Sequence, residues 1–283
     1  MAADANSLIE QAPAKVNLYL HLCGQREDGY HLLDSLAVFP DISDTVSFET
    51  APDLSLQITG PEAGALTADE DNLVLRAARN LAIASGNVCG ARLTLQKNLP
   101  VASGIGGGSS DAAAALRLLS RHWRCDVPGA IALRIGADVP VCLCAPDPTR
   151  MRGIGEVLTS VPTLPRFGIL LVNPRVEVPT PAVFKAVTDK NPRPGPSMPE
   201  RFGGFQELVA WLKLQRNDLQ PAAEGICTEV GQVLTALAEA PLSRMSGSGA
   251  TCFGLYPSKE DAARAGAHLR AKNPDWWIAA AEV

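Results

Sequence analysis

At 283 residues the chain is long for one hydrophobic core and comfortable for two. It is 46% hydrophobic and 19% charged, which excludes a disordered or fibrous chain. Its net charge of −5 argues against a nucleic-acid groove, which needs a basic face.

The segment Met1–Glu10 has neither a basic stretch nor an apolar core, so no secretory signal is expected there. No apolar run approaches the roughly 18 residues of a membrane helix, and the expectation is a cytoplasmic protein without a membrane partner. Val16, Leu18, Leu20 and Leu22 alternate with polar positions, predicting a first strand. Lys15, Asn17, Tyr19 and His21 then share its other face, which a solvated outer surface would also explain. A Gly-flanked loop, 24–31, leads to strand-like runs at 36–39, 45–48 and 54–58, with Pro40 and Asp41 as a turn. Asp71 and Asn72 precede Leu73, Val74, Ala77, Ala78 and Leu81, a capped amphipathic helix.

The run from Ala91 to Lys97 alternates as a strand does, and Pro100, Val101, Ala102, Ser103, Gly104, Ile105, Gly106, Gly107, Gly108, Ser109 and Ser110 follow. Asp111 and four alanines then open a strong helix. A strand, a glycine-rich loop and a helix in that order make an anion site, because close backbone N–H groups meet the helix's unpaired donors and positive end. The loop lacks the Gly-Lys-Ser/Thr of a P-loop, and Ser109 stands where a dinucleotide fingerprint needs its third glycine. A glycine-rich linker is the bland alternative.

Ile131 to Ile135 reads as a helix stopped by Gly136, and Asp138 as the start of a strand carrying Cys142 and Cys144 on one face. Seven cysteines form no disulfide framework, and reduced core cysteines are expected. Pro162 and Pro165 flank a candidate domain boundary before a strand over 167–172. Four prolines and three glycines in 188–204 predict a mobile surface loop, with or without a role as a lid. Helices over 207–214 and 219–238, a strand over 250–256, a helix from the capping box at Ser258 through Leu269, and a strand over 276–281 complete the chain. Such mixed, non-alternating elements predict an α+β fold with largely antiparallel sheets.

The loop and its helix resemble the second motif of the GHMP kinases, the superfamily of galactokinase, homoserine kinase, mevalonate kinase and phosphomevalonate kinase. Ala12-Pro-Ala-Lys-Val-Asn-Leu-Tyr-Leu20 and Met245-Ser-Gly-Ser-Gly-Ala-Thr-Cys-Phe-Gly254 resemble the motifs expected near each end. The resemblance implies a two-domain fold, ribosomal-protein-S5-like over 1–160 and ferredoxin-like over 161–283, with the active site between them. It also implies ATP as phosphoryl donor, with Mg²⁺ expected alongside it and no dedicated protein metal site.

Phosphoryl transfer needs neutralised phosphate charge, a placed hydroxyl and a proton acceptor. On the resemblance, residues 100–110 hold ATP phosphates, Ser109 and Ser110 offer hydroxyls to phosphate or Mg²⁺, and Asn72 and Leu73 lie near the adenine. Asp138, in a Gly-Ala-Asp-Val-Pro sequence, matches the family's catalytic base. Lys15 matches the catalytic cation and Asn17 lies beside it. Flanking residues, Gly24-Gln-Arg-Glu-Asp-Gly-Tyr-His31 above all, are similar to the branch whose acceptor is a cytidine diphosphate ester. Tyr30, His31 and Phe184 then match its cytosine pocket, with Thr180 nearby. The link Cys144-Ala-Pro-Asp-Pro-Thr149 departs from the family pattern. A GHMP kinase for a sugar, homoserine or mevalonate is the alternative enzyme, and a nucleotide-binding regulator without turnover the alternative class.

Overall fold

The computed structural model describes residues 8–86 and 90–283; Cys89 and the first seven residues lie outside them. The amino-terminal half contains β1 (Leu8–Pro13), β2 (Val16–Gln25), β3 (His31–Val38), β4 (Ser43–Ala51) and β5 (Ser55–Thr59). Then come α1 (Leu73–Ser85), β6 (Gly90–Gln96), α2 (Gly107–Trp123), α3 (Gly129–Ile135) and α4 (Val139–Cys142). β7 (Thr149–Gly153), β8 (Val157–Ser160) and β9 (Gly168–Asn173) follow. The remainder is α5 (Thr180–Ala186), α6 (Phe205–Lys213), α7 (Gln220–Ile226), α8 (Thr228–Ala236), β10 (Leu242–Met245), β11 (Cys252–Tyr256), α9 (Lys259–Lys272) and β12 (Trp277–Glu282). No helix among the described residues is long and apolar enough to cross a membrane.

The strands form three four-stranded sheets in an α+β arrangement, and the chain divides into two compact units. Of the described residues, one unit takes 8–14, 43–86, 90–101 and 106–143, the other 15–42, 102–105 and 144–283. The units are thus interleaved along the chain. The reason lies in the pairing of β2 and β3, which join β7 and β8 in one sheet instead of the sheet of β1 and β4.

In the first unit the order is β1-β4-β6-β5, antiparallel except for β5 beside β6. Val46, Phe48, Leu93 and Leu95 alternate inward, and α1 buries Val74, Leu75, Ala77, Ala78 and Leu81. The predicted cap is present: Val74 N–H donates to Asn72 Oδ1 at 3.0 Å. Ala112 to Ala115 are fully buried, and their small side chains leave room for close packing around α2.

The second unit holds the sheets β2-β3-β7-β8 and β10-β11-β9-β12. β9 is central in the latter and buried along its whole length, as its unbroken apolar sequence requires. Ser258 caps α9, its Oγ accepting from Asp261 N–H at 3.1 Å.

Two expectations are corrected. Asp138 does not start a strand; it precedes the short helix α4, in which Pro140 occupies a first-turn position that tolerates its missing N–H. Cys142 therefore lies on that helix and Cys144 in the following turn, so they share no strand face. Gly136 does close α3, as expected, although in an extended conformation, φ −178°, that any residue adopts. Segment 188–204 forms no helix or strand, but it is pinned: Trp211 Nε1–H donates to Ser197 O, Gln215 Nε2–H to Pro196 O, and Arg216 Nη2–H to Arg193 O. β1, β7, β8 and β10 are short, and β7 (Thr-Arg-Met-Arg-Gly) has no apolar alternation to announce it.

Candidate functional site

Both faces of β2 are buried through Leu22, so its polar face is no solvated surface. Lys15 is only 4% exposed. Its backbone N–H donates to Ile105 O at 2.9 Å, tying the start of β2 to the glycine-rich loop. Its ammonium donates to Asn17 Oδ1, also at 2.9 Å. Farther along the same face, Tyr19 donates to Asp34, which pairs with Arg150, while His21 Nε2 accepts from Arg216 N–H.

The third sequence motif closes on the loop from another side. Asn17 N–H donates to Ser246 Oγ at 3.1 Å, and Ser246 Oγ donates to Gly104 O at 3.2 Å. Thr251 N–H donates to Ser103 O at 3.0 Å. Gly104 has φ +76°, and a Cβ there would lie 2.9 Å from both Gly249 C and Ser246 O, and closer still to Gly249 O. Only glycine fits this backbone-to-backbone approach. Pro100, Val101 and Ala102 make the turn before it, Ala102 in the left-handed region at φ +52°.

In the first unit, Gly106 takes φ +65° and α2 begins at Gly107. The N–H groups of 106–109 therefore lack intrahelical acceptors, whereas Ser110 N–H donates to Gly106 O. Ser110 Oγ donates to Pro13 O at 2.6 Å and is fully buried, so this hydroxyl pins the helix start to β1. Ser109 stays partly exposed, with Gly136 packed beside it. Leu73 lies against Gly108, while Asn72 spends its amide on the α1 cap and on Thr67 O.

Beneath this helix start lies an ionic cluster that the sequence reading did not anticipate. Lys97 Nζ donates to Asp111 Oδ2 at 2.9 Å and to Asp44 Oδ2, all three side chains being buried. Asp44 Oδ1 also accepts from the N–H groups of Asn98 and Leu99, whereas Asp111 Oδ1 has no partner. Burial pushes Asp111 up to about 8. Burial opposes the charge on Lys97, but the two carboxylates outweigh it and hold Lys97 above its ordinary range. The folded chain thus binds the Asp111 proton more tightly than the unfolded chain, and this group's contribution to stability falls as pH rises from about 4 to about 8. Asp111→Asn keeps an acceptor for Lys97 and removes that titration. Between pH 5.5 and 8.5 the wild-type melting temperature should decline relative to that of Asp111→Asn; parallel profiles would contradict the assignment.

The candidate base pocket lies in the second unit. Arg26 N–H donates to Tyr30 O, closing the β2–β3 turn and leaving the Tyr30 side chain 61% exposed. His31 stacks on Phe184 with ring centroids 5.1 Å apart and planes at 29°. Burial, reinforced by Lys190, lowers the His31 pKa, and its buried Nδ1 has no hydrogen-bond partner. Thr180 lies one helical turn before Phe184 on α5, its Oγ1 2.7 Å from Ser248 Oγ.

The structure therefore joins Lys15, Asn17, Ser103, Gly104 and Ile105 in one hydrogen-bonded group, and His31 with Phe184 in another. The sequence reading did not assign roles to two residues that hold these groups. Asn217 Nδ2 donates to both Met245 O and Gly247 O at 2.8 Å, fixing the third motif. Arg244, buried with its pKa pulled down to about 10 by desolvation, donates to the carbonyls of Leu18, Leu212 and Gln215. The sequence signals were an Asn-Asp pair beside a helix start and a lone cation inside an apolar strand.

Residues 72–145 match the GHMP kinases N terminal domain, and residues 200–275 match GHMP kinases C terminal. A 4-diphosphocytidyl-2-C-methyl-D-erythritol kinase of Cereibacter sphaeroides is 52% identical over 280 residues, covering 96% of this chain and 98% of that one. Its counterpart from Ruegeria pomeroyi is 54% identical over 278 residues with the same coverage. Among solved structures, a 4-(cytidine 5′-diphospho)-2C-methyl-D-erythritol kinase superposes with a TM-score of 0.78 at 33% identity, covering 97% of this chain and 98% of that one. A homoserine kinase from Cytophaga hutchinsonii shares the fold at a TM-score of 0.68 and 18% identity, covering 99% and 96% of the two chains.

Proposed function

Given that the chain belongs to the GHMP kinases, and within them to the 4-diphosphocytidyl-2-C-methyl-D-erythritol kinases, we propose a role in ATP-dependent phosphoryl transfer for each group just described. The chain is a small-molecule kinase. It transfers the γ-phosphoryl group of ATP to the C2 hydroxyl of 4-diphosphocytidyl-2-C-methyl-D-erythritol, giving the 2-phosphate and ADP in the non-mevalonate isoprenoid pathway. Both substrates are small charged metabolites, which fits a cytoplasmic site of action. A domain boundary near residue 160 is part of the proposal, with one family match on each side of it.

In the proposed mechanism the backbone N–H groups of Gly106 to Ser109 receive phosphate oxygens, where the positive end of α2 adds to their attraction. The Asp138 carboxylate takes the proton of the C2 hydroxyl. The freed oxygen bonds to the γ-phosphorus as the bond to the β–γ bridging oxygen breaks, and ADP leaves. The Lys15 ammonium stabilises negative charge developing around that phosphorus. Mg²⁺, when bound with ATP, neutralises phosphate charge. Ser109 fits as its hydroxyl contact and the inward-bonded Ser110 does not.

The stacked His31–Phe184 pair, with a buried and unpartnered Nδ1 next to exposed Tyr30, is the observation that carries the acceptor reading. A pyrimidine ring supplies both an aromatic face for stacking and a polar edge for that nitrogen. A neutral His31 can donate or accept there. Tyr30→Ala should weaken acceptor binding by about 1–3 kcal/mol through lost stacking and leave ATP affinity unchanged. The decisive measurement is ADP formation with diphosphocytidyl-methylerythritol, methylerythritol phosphate, galactose, homoserine and mevalonate in parallel. Faster turnover of galactose, homoserine or mevalonate than of the cytidylated acceptor would overturn the acceptor assignment, and no turnover of any would favour a regulator.

A further inference from the structure

We infer that Ser35 is a positioning residue for phosphoryl transfer: it fixes the orientation of the Asn17 amide and so sets where the Lys15 ammonium stands. The inference rests on the proposed role of Lys15 as the cation that stabilises the transferring group.

Ser35 is buried, in the middle of β3, where it faces β2. Its hydroxyl has one hydrogen, directed at Tyr19 O over 2.6 Å. A carbonyl oxygen only accepts, so the hydrogen has to come from Ser35. Ser35 Oγ is then left as an acceptor toward Asn17, 2.7 Å away, and the Asn17 atom facing it must be the nitrogen. Asn17 Oδ1 consequently faces Lys15 Nζ, the only orientation an ammonium with donors alone accepts. A flipped amide would set an NH₂ group against the ammonium and an oxygen against the Ser35 lone pairs. Both contacts would be repulsive in a buried place. Met151 Sδ, 4.0 Å from Asn17 Nδ2, is too weak an acceptor to enforce the choice by itself.

Two further contacts make this orientation matter. Asn17 N–H holds Ser246, and Ser246 holds Gly104. Lys15 N–H holds Ile105. The backbone positions of Lys15 and Asn17 are therefore set by the loops, whereas Ser35 fixes the amide that accepts from the Lys15 ammonium. Removing the Ser35 hydroxyl leaves the backbone frame in place and frees the amide to rotate. The Lys15 ammonium then loses its fixed acceptor on Asn17 at 2.9 Å and shifts. A displacement of about 1 Å in a catalytic group costs on the order of 10²-fold in rate.

The test is Ser35→Ala in the full chain, assayed at saturating ATP and acceptor, with Lys15→Met, Asn17→Ala and Asn17→Ala/Ser35→Ala alongside. A drop in kcat of about 10- to 100-fold, with both KM values within twofold of the wild type, is expected for Ser35→Ala. The double variant should be no slower than Asn17→Ala, because Ser35 acts only through that amide. A general loss of packing would instead slow both backgrounds equally. Wild-type kcat in Ser35→Ala, or losses that multiply in the double variant, would overturn the inference. Should Ser35→Ala not fold, Ser35→Cys keeps the shape with much weaker hydrogen bonds, and wild-type kcat in that variant overturns it equally. Near-normal turnover in Lys15→Met would instead overturn the role of Lys15, an outcome distinguishable from failure at Ser35.

Discussion

Asp138→Asn is expected to lower kcat by roughly 10²–10⁴-fold while leaving both KM values close to those of the wild type. The substitution preserves size and shape and removes the carboxylate's charge, and with it the capacity to take up a proton. Asp138 precedes α4, but its side chain makes no capping hydrogen bond there, so the change removes no helix cap. The first turn of α4 is held by backbone bonds instead, Val139 N–H donating to Gly136 O and Cys142 N–H to Asp138 O. Steady-state ADP release together with single-turnover chemistry provides the check. Activity within about threefold of the wild type would remove Asp138 from the role of general base.

Gly104→Ala should be the most damaging change in the glycine-rich loop. Alanine at φ +76° costs roughly 1–2 kcal/mol. Its Cβ would also meet the backbone of Gly249 and Ser246, which cannot swing aside as a side chain does. Overpacking of this kind adds about 1–3 kcal/mol. In a chain of this size the sum corresponds to a fall in melting temperature of roughly 10 °C. The loop 246–251 must withdraw to admit the methyl group, straining the Ser246–Gly104 and Thr251–Ser103 bonds. ATP affinity should then fall by at least about tenfold, as measured by calorimetry with a non-hydrolysable analogue. Gly129→Ala is the control: nothing lies within 4 Å of its Cβ position, and both properties should stay at wild-type values. Unchanged stability and ATP affinity in Gly104→Ala would refute the tight junction between the two motifs.

Three features of the chain were legible in the sequence for a local reason. The glycine-rich loop announces itself because strand alternation, glycines and an alanine-rich helix follow one another without a break. The α1 cap at Asn72 and the α9 cap at Ser258 depend on residues only two or three positions apart. β2 was legible through its alternating leucines, yet the state of its other face was not. Whether Lys15, Asn17, Tyr19 and His21 meet water or protein depends on β3, segment 193–197 and residues 211–251, none of which local periodicity reports. Asp138 was misplaced because Val-Pro-Val reads as extended in isolation, while its proline is compatible with the first turn of a helix.

By itself, then, the amino-acid sequence determined the order of the main elements, the phosphate-type loop and the membership that its three motifs imply. Those features are encoded by neighbours in the chain. Tertiary structure alone decided the interleaving of the two units, the burial of the Lys97–Asp44–Asp111 cluster and the meeting of Gly104 with Gly249. It likewise decided the chain of donors from Ser35 through Asn17 to Lys15, and the inward turn of Ser110. Their common physical reason is that a buried polar group or a close backbone approach must find its partner wherever the fold brings one, and these partners, Lys15 and Asn17 apart, lie from 14 to 145 residues away in the chain.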